Sequence, residues 1–193
     1  MSFWERLDAL DREVFLAING AHAPWSDALM ETVSNMLVWF PLYLVLLFVL
    51  RRRFGWKGLA WSALLIAAMV LCSDKGSVLL FKETVMRLRP CHEPALEGLV
   101  HLGYTGCGGN YGFVSSHASN HFAIALFMIG ALQGRPRWAA LALLAWALLI
   151  CYSRVYLGVH YPGDVLVGAL YGSLIGAIFA KLHRLLMARM ATR

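Results

Sequence analysis

Charge is scarce in this sequence. Only 15% of its 193 residues are Asp, Glu, Lys or Arg, and only 11 are acidic. The hydrophobic fraction is 60%, against roughly 45–50% in ordinary soluble domains. So little polar surface leaves room for one compact helical bundle and none for a second soluble domain, and residues 1–193 read as a single membrane-embedded domain. The four cysteines contain no CxxC pair, which argues against a zinc or dithiol redox motif. A cleavable signal peptide is excluded by Glu5, Arg6, Asp8, Asp11, Arg12 and Glu13, which interrupt any apolar core near the start. The glycines at 103, 106, 108, 109 and 112 fit no P-loop pattern and read as a flexible loop. There is no internal repeat and no low-complexity tract.

What is present is long apolar runs separated by short basic clusters, the pattern of an integral membrane protein. The net charge of +6 therefore speaks for membrane topology rather than nucleic-acid binding. Phe3, Trp4, Leu7, Leu10, Val14, Phe15 and Ile18 recur at helical spacing opposite a charged face. The pattern predicts an amphipathic helix within residues 1–22, lying in the membrane interface or packed on the bundle. Five spans follow: 28–50, with Pro41 as a kink; 56–82; 116–132; 138–156; and 164–186. Residues 83–114 form a long loop. The expected fold is all-α, a membrane bundle of five transmembrane helices plus the N-terminal interfacial helix.

Arg51, Arg52, Arg53 and Lys57, then Arg135 and Arg137, then Lys181, Arg184, Arg189 and Arg193 follow the first, third and fifth spans. All fall on one side, which the positive-inside rule makes cytoplasmic. The C-terminus is then cytoplasmic, and loops 83–114 and 157–163 lie outside. In an oxidising compartment, Cys91 and Cys107 on the long loop are a plausible disulfide. Cys72 and Cys151 lie in apolar runs and read as inert.

The outer helix ends collect a specific chemical set: Lys82, Arg89 and Arg154; Ser115, Ser116 and His117; His160 and Asp164. Ionisable groups beside apolar spans are costly and usually functional. Three cations and the free N–H groups at the start of the third span suit a phosphate. Asp164, four residues after His160, can fix that imidazole's tautomer and free its other nitrogen to attack phosphorus. His117, with no carboxylate near in sequence, suits protonation of the leaving oxygen. Outside this set, His92, His101, His121 and His183 read as interface anchors, Arg87 as a surface or headgroup contact, and Asp74 and Lys75 as structural pairs within the bundle. Trp39, Trp61, Trp138 and Trp146 read as core or lipid-belt residues.

Lys82–Pro90, KETVMRLRP, fits Kx6RP; Ser153–Asp164, SRVYLGVHYPGD, fits SRx5Hx3D; and Val114–His117 reads VSSH where PSGH is usual. In order and spacing the chain resembles the type 2 phosphatidic acid phosphatase family, which also includes vanadium haloperoxidases. The resemblance implies that Lys82, Arg89 and Arg154 bind phosphate with Ser115 and the amide of Ser116. It implies that His160 becomes a phosphohistidine oriented by Asp164, with His117 as general acid and then base. No metal or other cofactor is implied. Ser116 in place of the family glycine adds a hydroxyl that either donates or narrows the pocket.

The implied substrate is a lipid-anchored phosphate reached by lateral diffusion among membrane lipids. Undecaprenyl pyrophosphate, phosphatidic acid, phosphatidylglycerophosphate and lipid A are all candidates. A site outside a bacterial inner membrane favours the first. The long spans argue against a haloperoxidase, whose known forms are soluble. A non-enzymatic lipid binder or transporter would need the anion site but not both histidines. Oligomeric state is not legible.

Overall fold

The computed structural model describes residues 2–104 and 106–191, and these contain helices and turns. Arg193, counted above among the basic residues, lies outside the described residues. Helix α1 (Phe3–Asn19) begins with a capping box: the Ser2 hydroxyl accepts from the Glu5 amide, and the Glu5 carboxylate accepts from the Ser2 amide at 2.8 Å. Helix α2 (Pro24–Ser34) places its proline in the first turn, where a missing N–H costs nothing.

The first span expected from the sequence, 28–50, is divided. At Asn35 the backbone is extended, and the Asn35 side chain accepts from the Leu37 amide at 3.0 Å. A 3-10 turn, Met36–Trp39, follows, and α3 (Phe40–Ser77) starts afterwards. Pro41 therefore sits in the first turn of α3 and kinks nothing. The break falls where Glu31, Thr32, Ser34 and Asn35 interrupt the apolar run, and the Asn35 side chain caps the turn that follows.

Gly55, with φ 70° and ψ −174°, breaks α3 into two limbs. Leu46 and Leu50 of the first limb and Leu65 and Met69 of the second share one core, so the chain folds back there. A π-helical segment, Val78–Lys82, and the single turn α4 (Glu83–Val85) extend the second limb. The long loop then carries two 3-10 turns, Pro90–His92 and Pro94–Leu96. Three helical segments are long and apolar enough to cross a membrane: Met36–Val85, which contains the Gly55 break, α6 (Arg137–Tyr156) and α7 (Pro162–Ala191).

Helix α5 (Ser116–Ala131) has 16 residues, about 24 Å of helix, and lies at the centre. It packs most closely on α7. Gly168, Gly172 and Gly176 of α7 face the α5 backbone; a Cβ on Gly172 would stand 2.0 Å from the Ser119 carbonyl oxygen. The absence of side chains lets the two helix axes approach closely, as small residues do in membrane bundles. Ser73 and Ser119, both fully buried, hydrogen-bond at 2.5 Å between α3 and α5.

Two of the histidines expected to anchor at the membrane interface are buried instead. His121 packs on Trp146 and shares a 2.7 Å hydrogen bond with the His117 carbonyl. His183 meets the Ser62 hydroxyl at 2.8 Å. Sequence position puts both near helix polar groups, but only packing tells which way they point. His101 stacks on His22 and pairs with Asp27 at 3.0 Å, whereas His92 is exposed. Asp74 accepts from the Asn120 amide at 3.3 Å. Trp39 and Trp146 pack edge to face at 5.9 Å, and Trp61 and Trp138 are exposed.

Helix α1 turns its charges inward. Asp8, Asp11 and Arg12 meet Arg87, Glu93 and the Gly163 amide. Phe3, Trp4, Leu7 and Leu10 remain exposed.

The α5–α7 contact generates a stability prediction. Gly172→Val should lower stability by about 1–3 kcal/mol, read as a lower unfolding midpoint in detergent. Substitution of the exposed Leu174 by Val should leave the midpoint within experimental scatter.

Candidate active site

The turn between α6 and α7 is made by Gly158, whose φ of 78° is left-handed. It delivers His160 into the interior, 1% exposed. The His160 Nδ1 faces Asp164 Oδ2 at 3.4 Å, one helical turn on. The Gly112 carbonyl also accepts from the imidazole. With its proton on Nδ1, the ring leaves the Nε2 lone pair free. Burial first, then the positive charges of Arg89, Arg154 and Lys82, hold the His160 pKa well below the ordinary imidazole range, so the ring is neutral at physiological pH.

Asp164 is fully buried in the first turn of α7. Its Oδ2 also accepts from the Tyr161 amide at 3.0 Å, and its backbone carbonyl accepts from the Ser115 amide at 3.0 Å. That last bond clamps the start of α5 to the start of α7. Ser115 caps α5, its hydroxyl accepting from the Ala118 amide, so the next amides of α5 open toward the same place.

The Ser116 hydroxyl has two neighbours. It accepts from Lys82 Nζ at 2.9 Å and meets the Ser77 hydroxyl at 2.6 Å. It tethers the ammonium group that the π-helical segment presents.

Arg89 is held by a short antiparallel bridge between Leu88 and Tyr111 and by its amide donating to the Asn110 carbonyl at 3.0 Å. Its Nη1 donates to the Cys107 carbonyl at 3.2 Å. Arg154, in the last turn of α6, donates to the Ser34 hydroxyl. The Nε–H groups of Arg89 and Arg154 are buried without a protein acceptor. A pocket of about 640 Å³ is lined by Arg89, His117 and Arg154 together with Glu31, Thr32, Ser34 and Asn35.

The structure thus brings together Lys82, Arg89, Ser115, Ser116, His117, Arg154, His160 and Asp164, drawn from four helix ends and one loop. The sulfurs of Cys91 and Cys107 meet beside Arg89, with Cα atoms 6.0 Å apart. Gly112, expected in a flexible loop, is instead pressed into the site: a Cβ there would lie 2.8 Å from Asp164 Oδ2 and 3.2 Å from the Arg89 side chain. A run of glycines does not reveal in sequence which of them touches a carboxylate.

Arg87 is the larger surprise. It is not a surface or headgroup contact. Its side chain is 22% exposed, bridges Asp8, Asp11 and Asp164, and lies 4.0 Å over the Tyr161 ring. Its position two residues before Arg89, among acids distant in sequence, carried no signal of its own. Outside the pocket lining, His22, Asp27 and His101 gather their ligand atoms within 4.8 Å of one another; Asp27 there accepts from the Tyr156 hydroxyl at 2.7 Å.

Comparison with known proteins places this geometry. Residues 58–188 match the family model described as PAP2 superfamily. The chain is similar to a lipid A 4'-phosphatase of Bacteroides thetaiotaomicron, 34% identical over 187 residues, covering 96% of this chain and 82% of the relative. It is also similar to an undecaprenyl-diphosphatase of Sulfolobus acidocaldarius, 29% identical, covering 89% and 77%. The crystal structure of Aquifex aeolicus LpxE superposes with a TM-score of 0.62 at 30% identity, covering 89% of this chain and 95% of that one. With the family model spanning well over half its length, this integral-membrane chain belongs to the PAP2 superfamily.

Proposed function

We propose that the protein is a lipid phosphatase that removes a phosphate monoester from a membrane-anchored sugar headgroup of the lipid A type, through a phosphohistidine on His160. The observation that carries the chemistry is the neutral, buried His160, fixed by Asp164 and surrounded by Lys82, Arg89 and Arg154. The three cations and the α5 amides near Ser116 hold the phosphate oxygens and the charge that spreads over them in the transition state. The Nε2 of His160 attacks phosphorus, and His117 protonates the departing alcohol oxygen. In the second half His117 takes a proton from water, which attacks the phosphohistidine and releases inorganic phosphate.

Two features support a sugar-borne monoester. The first is the similarity to lipid A 4'-phosphatase along nearly the whole chain. The second is the set of uncharged polar side chains Thr32, Ser34 and Asn35 in the pocket lining, which suits hydroxyl and amide groups of a sugar. Undecaprenyl diphosphate is the second reading, supported by the Sulfolobus relative and by three cations able to neutralise more than one phosphate.

In this reading the two limbs of α3, with α5, α6 and α7, make five crossings, and the whole chain is one domain. Arg53, Lys181 and Arg184 share one surface pocket; taken as the cytoplasmic end, they put His160 on the extracytoplasmic face. The exposed apolar strip of α1 rests in lipid beside a groove of about 930 Å³ lined by Leu7, Leu10, Leu148, Leu166 and Leu170.

A phosphate-release panel tests the substrate. Lipid A should be hydrolysed in preference to undecaprenyl diphosphate and phosphatidic acid, and His160→Ala should lower turnover by at least about a thousandfold. Release from none of these lipids would contradict the reading. Cys91 and Cys107 are proposed as a disulfide holding the Arg89 loop. Thiol counting of the denatured protein should find two more free thiols after reduction than before.

The depressed pKa of His160 has a stability consequence. Below about pH 6.5 the unfolded chain takes a proton there, whereas the folded chain does not. Stability is therefore fully present above that pH and is lost as pH falls toward the folded value, by up to about 1.4 kcal/mol per pH unit. Between pH 7 and 5.5 the unfolding midpoint of His160→Gln should drop less than that of the wild type.

A further inference from the structure

We propose that Arg87 is a positioning residue for catalysis and that α1, through it, forms part of the active-site machinery. Among the described residues Asp164 is the only carboxylate bonded to His160, and it must stay ionised and fixed for the imidazole to present Nε2. A buried carboxylate needs a cation and hydrogen bonds. The phosphate-binding cations Lys82, Arg89 and Arg154 make no hydrogen bond to it among the described residues. Arg87 does, with Nη1 3.1 Å from Asp164 Oδ1, while the other carboxylate oxygen serves His160 and the Tyr161 amide. The two oxygens thus divide their work: one faces the nucleophile, the other the guanidinium.

The guanidinium is in turn gripped from α1. Its Nη1 also lies 2.8 Å from Asp11 Oδ2, and its Nη2 lies 2.9 Å from Asp8 Oδ1. Tyr161 packs beneath it, 4.0 Å from ring centroid to guanidinium carbon, and Phe15 of α1 supports Tyr161 edge-on at 5.4 Å. Asp11 Oδ1 accepts from the Gly163 amide at 2.7 Å, and a Cβ on Gly163 would stand 2.9 Å from that carboxylate. Asp11 therefore holds Arg87 on one oxygen and the first turn of α7 on the other, and His160 and Asp164 bracket that turn. Planar five-donor geometry allows one arginine to join three carboxylates; an ammonium cannot reproduce this fork. Arg87 is not among the residues that line the pocket of Arg89, His117 and Arg154, and its contact to the site runs through Asp164, so in this proposal it acts on the nucleophile rather than on the substrate.

This inference rests on the proposed His160 chemistry, and the experiment separates the two. Full-length wild type, His160→Ala, Arg87→Ala, Arg87→Lys, Asp11→Asn and the double variant Arg87→Ala/Asp11→Asn are assayed in lipid nanodiscs, with vanadate as a competitive phosphate mimic. Arg87→Ala should lower kcat by about 10- to 100-fold, with KM and vanadate inhibition within about twofold of wild type. Arg87→Lys should recover part of the loss. Asp11→Asn should lower kcat several-fold alone and nothing further in the double variant, because both act through one contact. An unchanged kcat in Arg87→Ala, or vanadate inhibition weakening in step with kcat, overturns the proposal. Should Arg87→Ala fail to fold, Asp11→Asn and Arg87→Lys decide: wild-type kcat in both overturns it. Persistent turnover in His160→Ala would instead bring down the phosphohistidine reading itself.

Discussion

At the start of α7, Asp164 ties together α5, the long loop and the turn that carries His160. Its backbone carbonyl receives the Ser115 amide, its Oδ2 receives the Tyr161 amide and faces His160, and its Oδ1 receives Arg87. An ionised carboxylate with no solvent exposure survives only if every lone pair is answered. The backbone bond adds to the packing of α5 on α7, while the side chain holds the His160 ring and draws in the long loop and, through Arg87, α1. Stability and chemistry are fastened at the same atoms, so changes at Asp164 would disturb both.

Around that point the bundle is organised to bring one helix start against another. Helix α5 is too short to wrap its own polar end, and it is enclosed by α3, α6 and α7. The bare backbone at Gly168, Gly172 and Gly176 lets α7 run against it closely enough for the Ser115–Asp164 bond to form. The energy for assembling three cations in an apolar setting comes from local anchoring: Lys82 on Ser116, Arg89 on the Cys107 carbonyl and Arg154 on Ser34. In the proposed mechanism each cation is aimed before substrate arrives, which is the condition for charge stabilisation without reorganisation.

Much of this was legible from residues alone. His160 and Asp164 stand four apart at a helix start, Kx6RP fixes Lys82 against Arg89, and Ser115 reads as a cap. These are local relations, and local relations survive into three dimensions. Failures came where long-range partners or single backbone groups decide. The 28–50 span is split at Asn35, at the end of a polar stretch (Glu31, Thr32, Ser34, Asn35) short enough to pass within a longer apolar window. His121 and His183 were placed at interfaces because hydropathy cannot say which face of a helix meets its neighbour. Arg87 was left at the surface because its acids lie 76 to 79 positions away, and Gly112 was indistinguishable from looser glycines in the same loop.

The account stands most directly on where the phosphoryl group rests between the two half-reactions. Rapid quenching into alkali during turnover on a lipid phosphate, followed by proteolysis and mass spectrometry, reads that position. A phosphoryl group on His160 is the predicted result, at the ring nitrogen turned away from Asp164. Its appearance on His117 instead, or its absence from both histidines while turnover proceeds, would contradict the mechanism.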